Sequence, residues 1–183
     1  HIYSDAIGSL QEPGSDVAVL AYQREKNGSI LPAAPWIRAV HAANHTGVTL
    51  HDYPEIMVNT IATSKVYRRA FWDAQKFEFP EGLLFEDQAL TMAAFTSARA
   101  IDVRSYVGIN WRIRGGSTTN NATQPRNLRD HHTAVQRSLE ILEERGFAAA
   151  SELRVVQLMN NNFGDYLRNI GRMEGESWDT FRE

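Results

Sequence analysis

Hydrophobic positions along this chain alternate between strand-like and helix-like periods up to residue 120 and are helical afterwards. Asp16-Val17-Ala18-Val19-Leu20-Ala21-Tyr22 is an apolar run closed by the turn-forming Lys26-Asn27-Gly28-Ser29, which predicts a buried strand. Pro32 and Pro35 then open a short helix that carries Trp36, Ile37, Val40 and His41 on one side. Residues 55–76 read as a helix with a break near Ser64, its apolar stripe supplied by Met57, Ile61, Tyr67 and Phe71. Pro80 and Gly82 make the following segment irregular, because proline lacks a backbone N–H and glycine admits unusual backbone angles. A helix over 86–98 follows. Next comes the clearest strand, 105–114, with Val107, Ile109, Trp111 and Ile113 on one face and Asn110, Arg112 and Arg114 on the other.

Beyond residue 120 the polar connector Asn120-Asn121-Ala122-Thr123-Gln124-Pro125-Arg126-Asn127 leads into an amphipathic helix marked by Leu128, Val135, Leu139 and Leu142 and ended by Gly146. A second helix after Ser151 carries Leu153, Val156, Met159, Phe163, Leu167 and Ile170 at helical spacing, and a third begins near Ser177. No internal repeat, heptad or low-complexity tract is present. The pattern predicts an α/β part, residues 1–120, and a C-terminal helical extension, residues 121–183.

Composition narrows the function. The 183 residues, 43% hydrophobic and 22% charged, suffice for a sizeable core. The absence of cysteine excludes disulfides, iron–sulfur clusters, thiolate zinc sites and cysteine nucleophiles, and it fits a reducing cytoplasm. A net charge of −3 argues against a dedicated nucleic-acid binder. No apolar run approaches the roughly 18–20 residues that span a bilayer. The opening His1-Ile2-Tyr3-Ser4-Asp5 has neither the basic start of a signal peptide nor an initiator Met, as expected of a trimmed chain or fragment.

Candidate chemistry concentrates between residues 77 and 118. Glu86-Asp87 stands at the expected start of a helix, where the positive end of the dipole favours ionised carboxylates. Burial by Phe85 and Leu84 would offset the lost basicity by raising the pKa. The plain alternative is an acidic first turn of no further significance. Arg112 and Arg114, two apart on a strand, share a face; guanidinium groups bind phosphate in a bidentate way, and Gly115-Gly116 with Ser117 or Thr118 can fold around an anion. The plain alternative there is a sheet edge protected by solvated arginines. His41 and His45 have a spacing used by metal sites, but no His-Glu-x-x-His accompanies them and no metal ligand is assigned. Asp130-His131-His132, and Lys65 with Arg68-Arg69, read as solvated helix faces.

Three stretches taken together carry a resemblance: Ser64-Lys65-Val66-Tyr67-Arg68-Arg69-Ala70-Phe71, Phe79-Pro80-Glu81-Gly82-Leu83-Leu84-Phe85-Glu86-Asp87-Gln88, and Trp111-Arg112-Ile113-Arg114-Gly115-Gly116-Ser117. Over roughly residues 15–120 the chain resembles the acceptor-side half of family 2 glycosyltransferases, inverting enzymes with a GT-A fold. Within that family it looks most like the bacterial subgroup that builds teichoic acid, capsule and related surface polymers. The resemblance implies the C-terminal part of a GT-A (nucleotide-diphospho-sugar transferase) fold followed by the helical extension. It implies transfer of a sugar from a nucleotide-sugar donor to a glycan or polyol-phosphate acceptor, at the inner face of the membrane. Peripheral membrane association and homo-oligomer formation through the helices are compatible with it.

By that resemblance Asp87 is the catalytic base, and Glu86 places it or contacts the acceptor. Gln88 and Trp111 bind acceptor, and Arg112, Arg114 and Ser117 face the donor phosphates. A divalent cation, Mn²⁺ or Mg²⁺, is also implied, held by an Asp-x-Asp motif. No Asp-x-Asp occurs in these residues, so its ligands are expected upstream in a longer protein. A glycerophosphotransferase-associated role in cell-wall polymer assembly is the nearest variant. The different-class alternative is a non-catalytic carbohydrate- or partner-binding module that kept the acceptor cleft.

Overall fold

The computed structural model describes residues 2–11, 14–114 and 123–182. It is mixed α/β. The central strand is β1 (Val17–Lys26), whose residues from Val17 to Tyr22 are all buried, as the unbroken apolar run requires of a strand covered on both faces. β2 (Ser29–Leu31) returns beside its far end through Asn27 and Gly28, both at positive φ (51° and 79°). That pair of left-handed residues matches the right-handed twist of a tight hairpin. β3 (His45–Val48) and β4 (Lys65–Tyr67) are short. β5 (Ile101–Arg112) runs parallel to β1, and the sheet order is β2-β1-β5-β3, with β4 antiparallel to the first residues of β1.

The parallel pair is irregular in its middle. Leu20 pairs with Arg104, Ala21 with Val107 and Tyr22 with Ile109, so β5 bulges while β1 stays regular. Gly108 lies in the bulge against Leu20; a Cβ there would come within 2.4 Å of Leu20 Cδ1 and 2.7 Å of its Cβ.

Helices cover both faces. α1 (Ile2–Ser9) places Ala6, with Leu10 just beyond it, on Ala18 and Leu20. The opposite face, Val17 and Val19 with Ile101 and Val103, meets Met92 and Phe95 of α4 (Asp87–Ser97) and Ile56 and Met57 of a 3₁₀ turn at Pro54–Val58. Ile141 and Leu142 of α5 (Pro125–Glu144) and Ala150 of α6 (Ala148–Leu158) join that same core. Gly146, at φ 79°, turns the chain between α5 and α6. α2 (Pro35–Val40), α3 (Arg69–Gln75), α7 (Gly164–Asn169) and α8 (Glu176–Arg182) complete the set, with a π-helical turn at Met159–Phe163 joining α6 to α7.

Two buried aspartates pin the parallel pair. Asp16 accepts from the Arg99 backbone N–H (2.9 Å), Arg99 Nη2 (3.0 Å) and Arg99 Nε (3.2 Å), with Arg68 Nε 3.6 Å away. Burial pushes its carboxyl up, but these two arginines pull it below the ordinary value. Asp102 accepts from Ser15 Oγ (2.6 Å), Gly47 N–H (2.8 Å) and Arg104 Nη2 (2.8 Å).

Three sequence expectations change here. Residues 55–76 do not form one helix: the 3₁₀ turn at Pro54–Val58 is followed by another at Ala62–Ser64, then β4, then α3. Ser64 Oγ bonds the Asn59 side chain and Ile61 O, a local pairing that competes with a helix, and pairing along β1 holds residues 65–67 extended. β5 begins at Ile101, four residues earlier than expected. The stripe Val156, Met159, Phe163 and Leu167 is exposed rather than buried. The inward face of α6 is instead Ala150, Ser151 and Arg154, two small residues that allow close packing and one cation.

Candidate active site

Parallel strands commonly present ligands at their carboxyl ends, and here those ends open a cavity of about 560 Å³. β1 contributes Tyr22 and Arg24 to its wall, and β5 contributes Trp111 and Arg112, with Ile113 just after it. α4 contributes Asp87 and Gln88, and α6 contributes Arg154 and Gln157. Tyr22 and Trp111 meet edge to face at 5.9 Å, as the register Tyr22↔Ile109, Arg24↔Trp111 allows for residues on one face of the sheet.

Asp87 opens α4, and the chain reaches it through an unusual conformation: Phe85 sits at φ 62°, a left-handed region that bulky residues avoid. The turn is closed by the Gln88 N–H on Phe85 O (3.1 Å). Asp87 Oδ2 accepts from the Ala62 N–H at 3.3 Å. Burial raises its pKa, against the charge of Lys65 and the Ala62 hydrogen bond, while Glu86 adds to the rise. A carboxylate made more basic in this way suits proton abstraction.

Two buried cations flank this carboxylate. Lys65, on β4, is 8% exposed; its Nζ donates to Ile61 O at 2.8 Å and lies 5.6 Å from the centre of the Phe95 ring. Burial brings its ammonium pKa down to about 7, with Asp87 opposing the fall. Lys65 is therefore not the solvated helix flank expected from sequence, because β4 turns it inward. Arg154, on α6, is 2% exposed. It donates through Nη2 to Gln88 Oε1 and through Nη1 to Gln157 Oε1 (2.6 Å), and Gln157 in turn donates to Val58 O (3.1 Å). Its Nε has no partner, and burial lowers its pKa to about 10 against the pull of Asp87.

Of the residues named from sequence, Asp87, Gln88, Trp111 and Arg112 border the cavity. Gln88 is buried with its amide oxygen held by Arg154, so that oxygen is engaged inside the protein. Glu86 is half-buried at the helix start. Arg112 pairs in register with Glu25, and its Nε lies 3.5 Å from the Glu25 carboxylate, on the side of the sheet opposite Arg24 and Trp111. Arg114 is exposed beyond the end of β5 and, among the described residues, is not part of the cavity wall. Gly115, Gly116, Ser117 and Thr118 lie outside the described residues.

His41, His45 and His131 are buried or paired with aromatic rings. His41 is buried between Arg104 O (2.8 Å from Nδ1) and the Asn59 amide (3.0 Å from Nε2), and burial lowers its pKa to about 4. His45 stacks on Tyr53. His131 is buried too, bonded at Nδ1 to Tyr166 Oη (2.7 Å) and edge-on to Phe85, so the expected solvated face at 130–132 turns inward at its middle residue. No group of three or more acidic or histidine side chains among the described residues is arranged to hold a metal ion. Among the described residues, none form a site that fits the divalent cation that the resemblance implies.

The fold is a mixed α/β arrangement with likenesses among solved structures. Two solved structures of S. aureus TarS, residues 1–349, share it. One, in complex with UDP-GlcNAc, is 24% identical with a TM-score of 0.55 over 80% of this chain. The other is 20% identical with a TM-score of 0.57 over 90% of this chain. At these identities the likeness is one of fold, and this chain spans 45% of either TarS chain. No protein-family model and no curated protein matches. No helix among the described residues is long and apolar enough to cross a membrane.

Proposed function

We propose that this chain is the acceptor-side, C-terminal part of a GT-A glycosyltransferase that moves a sugar from a nucleotide-sugar donor to a surface-polymer acceptor such as teichoic acid or capsule. The observation that carries the reading is Asp87. It is a carboxylate with a raised pKa, at the mouth of α4, in the wall of a cavity at the carboxyl ends of two parallel strands. The fold shared with TarS, solved with UDP-GlcNAc, supports a nucleotide-sugar as the donor class.

In this reading the acceptor hydroxyl oxygen attacks the anomeric carbon while the bond from that carbon to the diphosphate oxygen breaks. The hydroxyl proton passes to Asp87, the electron pair of the broken bond leaves with the nucleoside diphosphate, and the configuration inverts. Trp111 and Tyr22 form the apolar wall against which a sugar face packs. Arg112, Arg114 and Ser117 are assigned to the departing diphosphate.

The test uses a protein that carries this chain together with a donor-binding half. UDP and CDP are titrated calorimetrically with Mn²⁺ present, and nucleotide release is followed with UDP-GlcNAc as donor. Binding of one nucleotide, with turnover lost in Asp87→Asn but binding kept, is the expected result. Failure to bind either nucleotide would overturn the reading and turn attention to a glycan-binding module.

A further inference from the structure

The inner wall of the cavity holds more positive charge than its carboxylates answer. Arg154 is buried, its two Nη groups are spent on the neutral amide oxygens of Gln88 and Gln157, and its Nε has no partner. Buried charges are ordinarily paired with a charge of opposite sign. Lys65, buried outside the cavity lining, is a second basic group, and both feel the same acid, Asp87. Asp165, the other acidic residue of the lining, is engaged by Arg168. Nearer the rim, Arg24 adds a further guanidinium group.

We propose that this wall is an oxyanion subsite anchored by Arg154, which receives a phosphate oxygen of a substrate. A guanidinium is planar, permanently charged and matched to phosphate by paired N–H groups. The amide oxygens it now contacts are neutral acceptors, so a phosphate oxygen replaces them with stronger, charge-assisted bonds. An anion there also balances the Arg154 charge, leaving the Asp87 carboxylate free to take a proton.

The source of the phosphate rests on the transferase reading: it is either the diphosphate of the donor or a phosphodiester of a polyol-phosphate acceptor. Both lie within a few bonds of the reacting centre: the acceptor meets Asp87 directly, and the leaving diphosphate stands across the anomeric carbon from it.

The experiment compares wild type, Arg154→Gln and Arg154→Lys in the protein that carries both halves. Two probes are titrated, UDP and a short glycerol phosphate oligomer. If the subsite holds the donor diphosphate, Arg154→Gln weakens UDP binding by about 10- to 100-fold, the loss of a hydrogen bond to a charged group. If it holds the acceptor phosphodiester, the oligomer weakens by that factor and UDP does not. Arg154→Lys recovers part of either loss. A folded Arg154→Gln that binds both probes as wild type does overturns the subsite while leaving the transferase reading intact.

Should Arg154→Gln fail to fold, the buried Nε–H of Arg154 is followed in wild type by nitrogen–proton NMR during titration with inorganic phosphate, with chloride as the ionic-strength control. A phosphate-specific shift supports the subsite, whether or not the protein binds a nucleotide. An unmoved signal refutes it.

Discussion

Replacing Asp16 by Asn tests whether the parallel pair beneath the cavity is held as described. The substitution keeps shape and removes a charge that three Arg99 donors and Arg68 converge on. Breaking an ion pair buried on both sides costs about 3–5 kcal/mol. The Arg99 side chain is 77% exposed and rehydrates, while Arg68 keeps its bonds to Ser15 O, so less is lost here. The expected loss is about 2–3 kcal/mol, near that of one strong or two weaker hydrogen bonds to a charged group. For a chain of this size it corresponds to a melting temperature lower by roughly 4–12 °C.

The pH dependence follows from the lowered pKa of Asp16. In the unfolded chain the group titrates near its ordinary value of 3.8, higher than in the fold, so folding releases protons. The gap between wild type and variant is therefore full above pH 3.8 and closes as the pH falls through the depressed folded value. Urea denaturation at pH 7 and in acid measures both. A variant within about 0.5 kcal/mol of wild type at pH 7, the range of an ordinary surface change, or a gap that persists in acid, would refute the assignment.

Other outcomes follow from single features. Asp87→Asn in the assembled enzyme should slow transfer by about 10²–10⁴-fold, the usual weight of a general base, with nucleotide affinity kept; single-turnover measurements decide it. Gly108→Ala should destabilise by about 1–3 kcal/mol through overpacking, because the new methyl group meets the Leu20 Cβ as well as its mobile end. Lys65 titrates at about 7 in the fold against an ordinary 10.5, so the unfolded chain binds the extra proton between those values and stability rises with pH across that window. Lys65→Met should remove that slope, read by denaturation at pH 7 and pH 9.

What the sequence showed and what it hid divide along physical lines. The run Val17–Tyr22 and the alternation before Arg112 are local patterns, and, although the bulge at Gly108 turns Val107 to the face opposite Ile109, both strands were legible. So was the start of α4 at Glu86-Asp87, where acids and an irregular Pro80–Gly82 approach coincide. Lys65 and Arg154 were hidden because their burial depends on partners far along the chain. A lysine on a three-residue strand shows no period, and an arginine beside Ala150 and Ser151 reads as the polar side of a helix whose stronger apolar stripe faces out. His131 was missed for the same reason: Tyr166 and Phe85 enclose it from two other segments.

The pairing of residues 17–25 with residues 101–112 has a consequence for how the molecule is made. β2 and β4 reach β1 through nearby sequence, but the opposite edge of β1 waits for β5. During synthesis an apolar strand stays bare along one side until the ribosome has passed residue 112, and parallel pairings across so long a loop close slowly. That interval is when the chain is most prone to associate with its neighbours. The wall that holds Arg154 arrives later still. Slower translation or cooler expression should raise the yield of properly closed chains, and truncation before α6 should leave a folded sheet with an open, incomplete cavity.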